Sequence, residues 1–151
     1  MNPRMTATTR RCIGPEEYPA LVDIWRSAVR ATHHFLTEED FQAIESNLSP
    51  AYFPAAHLFV AECNNHPVGF AGVVEDSLEM LFVADEFRGQ GVGSLLLRYA
   101  VDQLGVRKVD VNEQNPGAVG FYLHHGFVQG GRDDLDADGR PYPILHFAIE
   151  G

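Results

Sequence analysis

Hydrophobic residues recur at steps of three and four positions near the start of the chain, which predicts an amphipathic helix from about residue 16 to residue 31. The apolar stripe of this helix consists of Leu21, Ile24, Trp25, Ala28 and Val29. Because such a stripe buries one helix face, we expect this helix to pack on a sheet. A second helix is predicted from Thr37 to about Leu48, since Thr37 and Asp40 have a spacing like that of an N-terminal capping box.

Short runs rich in Val, Phe and Ala, bounded by turn residues, predict strands in the middle of the chain. A brief strand is expected at residues 11–13, a hairpin at 57–62 and 68–74 around Asn64 and Asn65, and a further strand at 78–83. The second half is predicted to contain, in order, a helix at 94–104, a strand at 106–111, a helix at 115–124, and closing strands at Phe127 and 143–149.

This order of elements predicts one fold class, α/β (α+β), with helices flanking a mixed central sheet that is mostly antiparallel in its first half. The chain shows no repeat, no linker and no sign of a second domain. We therefore expect residues 1–151 to form a single domain.

The most informative motif lies between the predicted strand at 78–83 and the predicted helix at 94–104. It reads Arg88-Gly89-Gln90-Gly91-Val92-Gly93. Glycines leave backbone N–H groups accessible, and consecutive amides at a helix N-terminus attract phosphate groups. The loop lacks the lysine of a nucleotide P-loop, and its glycines do not have the dinucleotide-binding spacing. Taken alone, the loop fits a tight turn into a helix as well as it fits a phosphate site.

A second motif follows about 20 residues later. It runs from Asn115 to Tyr122 and continues into His125-Gly126-Phe127. Asn115 and Tyr122 are seven residues apart, about two helical turns, so both side chains project from nearly one helix face. Together, the R-x-x-G-x-G loop and this motif resemble the GNAT superfamily of acyl-CoA-dependent N-acetyltransferases. The resemblance is strong over about residues 58–127.

The resemblance implies a sheet that splays between its fourth and fifth strands and holds the pantetheine arm of acetyl-CoA in the gap. It also implies that Tyr122 donates a proton to the departing thiolate, although a tyrosine on an apolar helix face is often only a core residue. Main-chain groups of the strand would hold pantetheine, the loop would hold the pyrophosphate, and an amide side chain would also bond the cofactor. The implied cofactor-binding residues are Leu81, Phe82, Val83, Arg88, Gly89, Gln90, Gly91, Val92, Gly93, Ser94 and Asn115.

The sequence leaves the general base open. The acidic candidates are Glu79, Asp110 and Glu113, and the imidazole candidates are His33 and His34. We give preference to Glu79 and His33. Each carboxylate fits a solvated strand residue as well, and an alternative is that the amine proton leaves to bulk water.

Composition narrows the class of protein. With 151 residues and 45% hydrophobic content, the chain is long enough to bury a core without disulfides, and Cys12 and Cys63 are expected to be reduced. The net charge of −10 repels phosphate backbones, so nucleic-acid binding is not expected. The same charge either attracts a cationic amine or serves solubility. No export signal or apolar run of 18 residues is present, which predicts a cytoplasmic protein without membrane contact, as a monomer or homodimer.

Two apparent metal motifs are rejected. Residues 134–139 match the first half of a calcium loop, D-x-D-x-D-G, but Leu145 replaces the bidentate glutamate and Pro141 and Pro143 prevent an exiting helix. The paired histidines at 33–34 and 124–125 lack further ligands at zinc spacing. No metal is expected.

The sequence therefore predicts an N-acetyltransferase that moves an acetyl group from acetyl-CoA to a primary amine by direct transfer in a ternary complex. The acceptor is either a small amine or a protein α- or ε-amine. The alternative is a non-catalytic acyl-CoA-binding regulatory module, which would need the glycine loop but not Tyr122.

Overall fold

The computed structural model describes residues 6–150, which form one seven-stranded sheet with helices on both faces. The strands are β1 (Thr8–Arg11), β2 (His57–Cys63), β3 (His66–Val74), β4 (Ser77–Val83), β5 (Lys108–Asn112), β6 (Val128–Asp133) and β7 (Ile144–Ala148). The α-helices are α1 (Tyr18–Thr32), α2 (Glu38–Asn47), α3 (Val92–Leu104) and α4 (Pro116–His124). None of the helices in this part of the chain is long and apolar enough to cross a membrane.

The strand order is β1-β2-β3-β4-β5-β7-β6, and every neighbouring pair is antiparallel except β4 and β5. These two parallel strands pair only where they begin, at Ser77 with Lys108 and Leu78 with Val109. Beyond that point they separate and leave one edge of β4 without a strand partner. The predicted fold class and the splay between the fourth and fifth strands are thereby confirmed.

A β-bulge in β4 changes which side chains reach each face of the sheet. Gly72 pairs with Met80 and Val73 pairs with Leu78, so Glu79 is an extra residue without a partner on β3. An extra residue breaks the strict alternation of a strand. Leu78 therefore packs in the core beneath α3, whereas Met80 packs beneath α1.

Two apolar cores hold the helices on the sheet. One lies between the sheet and α3 and includes Leu96, Leu97 and Ala100, which are at most 2% exposed. The other lies beneath α1, where the whole predicted stripe from Leu21 to Val29 is buried. The predicted N-cap of α2 is also confirmed, since the Thr37 side chain accepts a hydrogen bond from Asp40 N.

Two strand predictions need correction. The first strand covers Thr8–Arg11 rather than residues 11–13, because its pairing with β2 ends at Arg11 with Phe59 and a short turn begins at Pro15. The strand expected at Phe127 is β6, which lies at Val128–Asp133 in a Gly- and Asp-rich stretch. None of its residues is buried, so it carries no apolar alternation that a sequence could reveal.

Candidate active site

The gap between β4 and β5 opens into a cavity of about 490 Å³. Its walls are the end of β4, the glycine loop, the first turn of α3, one side of α4 and the C-terminal end of α1. Of the predicted cofactor-binding residues, all except Gln90 line this cavity. The Gln90 side chain is exposed and borders a separate depression beyond the loop.

The glycine loop presents unpaired backbone amides to this cavity. Gly91 is the N-cap of α3 in the left-handed conformation, with φ of 85°, and no side chain of residues 6–150 caps the helix. The first hydrogen bond within the helix is from Leu95 N to Gly91 O, at 3.0 Å. The N–H groups of residues 92–94 therefore have no helical acceptor, and they lie at the positive end of the helix dipole. This arrangement is suited to binding an anion.

The free edge of β4 offers a second kind of contact. Ala84 N donates to Val68 O on the β3 side at 2.9 Å. Because successive N–H groups of a strand point to opposite sides, the amides of Val83 and Leu81 point toward the open gap. This edge can pair with the amide groups of an extended ligand, as an added strand would.

Tyr122 lies where the gap meets α4. Its ring is 6% exposed and packs edge-to-face on Phe121 and Phe127, at centroid distances of 5.1 and 5.7 Å. Within residues 6–150, no hydrogen bond is made by its hydroxyl, and no fully buried side-chain polar atom lacks a partner. The hydroxyl must therefore be the part of the residue that opens to the cavity. Burial raises the pKa of Tyr122 above its ordinary value, so the phenol keeps its proton at neutral pH.

A smaller cavity of about 110 Å³ continues on the other side of the gap. It shares Tyr122, Asn115 and His33 with the larger cavity and adds the carboxyl side chains of Glu79 and Asp110. Glu79, the extra residue of the β4 bulge, is exposed and lines this cavity. The structure thus brings together three of the five candidate bases and Tyr122.

His33 caps the C-terminal end of α1, and its neighbours determine its tautomer. The Thr32 hydroxyl donates to Ala28 O at 2.8 Å, so it accepts from His33 Nδ1 at 2.7 Å. The neutral ring therefore carries its lone pair on Nε2. Burial lowers the pKa of His33 to about 4, with repulsion from His34 as a smaller cause. The imidazole is uncharged at neutral pH.

The other two candidate bases lie elsewhere. Glu113 forms an ion pair with Arg132, with a separation of 2.6 Å, and the bonding to Arg132 lowers the pKa of its carboxyl. His34 is exposed and lines neither cavity. Asp110 reaches the smaller cavity but also pairs with His146 Nδ1 at 2.7 Å.

Asn115 is the N-cap of α4, and its Oδ1 accepts from Ala118 N at 3.2 Å. Its side-chain amide remains as a donor to either cavity.

Sequence reasoning missed His125, which bonds Ser94 Oγ through Nε2 at 3.0 Å. It was noted only as part of the closing motif, because contact between two helices is not visible in sequence spacing.

The calcium-like segment has a structural explanation. The Arg140 guanidinium lies among the carboxylates of Asp40, Asp136 and Asp138, at 3.5, 3.7 and 2.9 Å. The Arg140 guanidinium thus occupies the position that a metal ion would need among these carboxylates. Between residues 6 and 150, no cluster of three or more His, Cys, Asp or Glu side chains has metal-binding geometry.

Known proteins resemble this chain in sequence. A family model described as an acetyltransferase (GNAT) domain matches residues 54–129. Escherichia coli peptidyl-lysine N-acetyltransferase YjaB is 40% identical over 137 residues, which are 90% of this chain and 92% of that protein. A second E. coli peptidyl-lysine N-acetyltransferase, YiaC, is 26% identical over 112 residues, 74% of this chain and 77% of that protein.

Solved structures agree with this match. The solution structure of apo YjaB from E. coli superposes with a TM-score of 0.87, at 39% identity, over 97% of this chain and 99% of that one. The PaiA N-acetyltransferase of Thermoplasma acidophilum, solved with coenzyme A, has the same fold, with a TM-score of 0.71 at 18% identity, over 94% of this chain and 98% of that one. From its glycine loop, its splayed sheet and these matches, the chain belongs to the GNAT acetyltransferase family and is an N-acetyltransferase.

Proposed function

We propose that this N-acetyltransferase moves an acetyl group directly from acetyl-CoA to the ε-amine of a lysine side chain. The observation that carries the proposal is the meeting of the two cavities at Tyr122, with free amides at one end and carboxylates at the other. The E. coli relatives YjaB and YiaC, named peptidyl-lysine N-acetyltransferases, support the choice of acceptor.

The larger cavity takes acetyl-CoA as substrate. The amides of residues 92–94 bind the pyrophosphate, and the free edge of β4 at Leu81 and Val83 pairs with pantetheine. The unpaired amides and the unpaired strand edge are both features that such a ligand would satisfy. The thioester supplies an activated carbonyl, which an amide N–H of β4 can polarise.

The smaller cavity takes the acceptor. Its apolar wall includes Leu78, Val109 and Val111, which suits the methylene stem of a lysine. Glu79 and Asp110 attract the ammonium group, and the net charge of −10 favours the approach of a cationic substrate. The cavity volume of about 110 Å³ suits a single side chain.

Proton transfer needs one base and one acid. Glu79 accepts the ammonium proton through water, and His33 accepts a hydrogen bond at Nε2 that orients the neutral amine. His33 is not assigned as the base, because burial disfavours its protonated form and lowers its pKa to about 4, whereas Glu79 is exposed and can pass the proton on to solvent. The amine nitrogen then forms a bond to the carbonyl carbon and releases its second proton to solvent, the C–S bond breaks, and Tyr122 donates its proton to the sulfur. Solvent returns a proton to Tyr122.

The test begins with binding and continues with turnover. Acetyl-CoA and CoA should raise the melting temperature by mass action, and ATP at equal concentration should raise it much less. Thiol release is then measured with a peptide containing one lysine and with the same peptide containing acetyl-lysine. Only the lysine peptide should be a substrate. Binding of acetyl-CoA without acetylation of peptides or small amines would instead support the non-catalytic module.

A variant tests the acceptor half. Glu79→Gln should lower kcat/KM for the lysine peptide about 10²-fold, since loss of a general base costs this much or more. Glu39→Gln, an exposed glutamate on α2, makes the same change in charge away from both cavities and should retain wild-type kinetics. If the two variants behave alike, Glu79 has no role in deprotonation.

A further inference from the structure

One cationic and two imidazole side chains that the proposed chemistry does not use lie close to residues of the larger cavity. His125 bonds Ser94 Oγ at 3.0 Å, and its ring lies 4.7 Å from the ring of Phe121, which lines the cavity. His124 packs edge-on against His125 at 5.4 Å and is exposed. Both histidines are at the end of α4 farthest from Asn115 and from the acceptor side.

Arg98 lies on the same side of α3 as Ser94, one helical turn further along the helix. It is exposed, and within residues 6–150 no carboxylate forms an ion pair with it, although Asp102 follows one turn later. Arg98 also borders a depression of about 310 Å³ that shares Gly91 and Val92 with the larger cavity. Its guanidinium is therefore adjacent to the loop that presents the free amides.

A cationic surface of this kind is unusual on this chain, which has 21 acidic and 11 basic residues. Most of the other arginines, such as Arg10, Arg26 and Arg140, are paired with carboxylates. An unpaired guanidinium beside two imidazoles and a helix N-terminus is suited to a phosphate dianion, which arginine can bind through two parallel hydrogen bonds.

We propose that Arg98, His124 and His125 form the binding site for the 3′-phosphate of CoA. The inference rests on the proposed function, because it requires the pyrophosphate to lie on the amides of residues 92–94. The 3′-phosphate is attached to the ribose next to that pyrophosphate. A ligand that runs from Tyr122 past the loop therefore places this group near the depression beside the loop, which Arg98 borders.

The experiment compares two ligands that differ only in this group. Dissociation constants of CoA and 3′-dephospho-CoA are measured by calorimetry for the wild type, for Arg98→Met and for Arg11→Met. Arg11 is an exposed arginine on β1 without an ion pair among the described residues, and it lines neither active-site cavity. Its replacement makes the same change in net charge. Thermal melting of each variant confirms folding.

The wild type should bind CoA roughly tenfold more tightly than 3′-dephospho-CoA, as expected for a partly solvated charged hydrogen bond. Arg98→Met should remove most of this difference by weakening only CoA, and Arg11→Met should retain it. His124→Gln should reduce the difference by a smaller factor.

Equal affinity of the wild type for the two ligands would overturn the proposal and leave the proposed function intact. An equal loss of affinity for both ligands in Arg98→Met would also overturn it, since Arg98 would then act on the pyrophosphate or on the fold. Failure of both ligands to bind the wild type would instead overturn the proposed function.

Discussion

The substitution Tyr122→Phe tests whether Tyr122 is a proton donor or only a core residue, because it removes the hydroxyl and retains the ring. The two edge-to-face contacts with Phe121 and Phe127 do not involve the hydroxyl. No group in residues 6–150 bonds that hydroxyl, so its removal leaves no unpaired partner in the described protein. We expect the melting temperature and the acetyl-CoA affinity to stay close to wild type.

Turnover should fall about 10²–10⁴-fold, which corresponds to a barrier raised by about 2.7–5.4 kcal/mol. The assay is steady-state thiol release with the lysine peptide, together with calorimetric affinity for acetyl-CoA. A pre-steady-state measurement establishes that chemistry limits the rate.

Tyr142→Phe is the matched control. Tyr142 is also 6% exposed, but its hydroxyl donates to Asp40 and lies 3.4 Å from Thr37 N. Its loss leaves Asp40 without that donor and should cost about 1–2 kcal/mol. For a domain of this size, each ~1 kcal/mol lowers the melting temperature by about 2–4 °C. Tyr142→Phe should therefore lose stability and retain most of its turnover well below its melting temperature. If Tyr122→Phe retains more than about a third of wild-type turnover with chemistry rate-limiting, the proton-donor role is wrong.

Three further predictions concern the loop, a titrating histidine and the calcium-like segment. Gly91→Asp should abolish the rise in melting temperature with CoA, because it adds a negative charge at the anion site. Gly91→Asn introduces the same backbone strain at φ of 85° without the charge, so this variant should keep part of that rise. Hydrogen bonds to Asp110 and Asp133 raise the pKa of His146 in the folded protein. Protonated His146 therefore stabilises the folded state below its unfolded pKa of about 6.5, and this stabilisation is lost as the pH rises through the higher folded pKa. His146→Gln should therefore flatten the fall in melting temperature above pH 6.5, and an unchanged slope would refute this linkage. Arg140→Met should lower the free energy of unfolding by about 1–3 kcal/mol in chemical denaturation, because three carboxylates lose their shared cation, and an unchanged midpoint would show that the cluster contributes nothing.

Local patterns in the sequence were sufficient for most of the elements. The stripe from Leu21 to Val29 follows the helical repeat, and a helix with that stripe must bury it, so α1 and its packed face were predictable. The turn at Asn64 and Asn65 was also predictable from local sequence. It requires positive φ values of 53° and 66°, which asparagine tolerates. The R-x-x-G-x-G loop indicated an anion site because glycine spacing and helix onset are both local properties.

Contacts between distant elements were not predictable from one sequence. Five residues were candidate bases, with Glu79 and His33 preferred, and only the bulge at Glu79 and the splay beside Asp110 selected which carboxylates share a cavity with Tyr122. A bulge depends on the register between two strands, which a single strand does not encode. His33 became a neutral acceptor only through its burial and its bond to Thr32.

The sequence by itself determined the family, the helix faces and the position of the anion loop, because these depend on spacing within one element. The tertiary structure decided the charge state of His33, the raised pKa of Tyr122, the pairing of Arg140 with three aspartates and the lack of a carboxylate partner for Arg98 in the described chain. These properties depend on desolvation and on charges brought together from separate elements, and both arise only when the chain is folded.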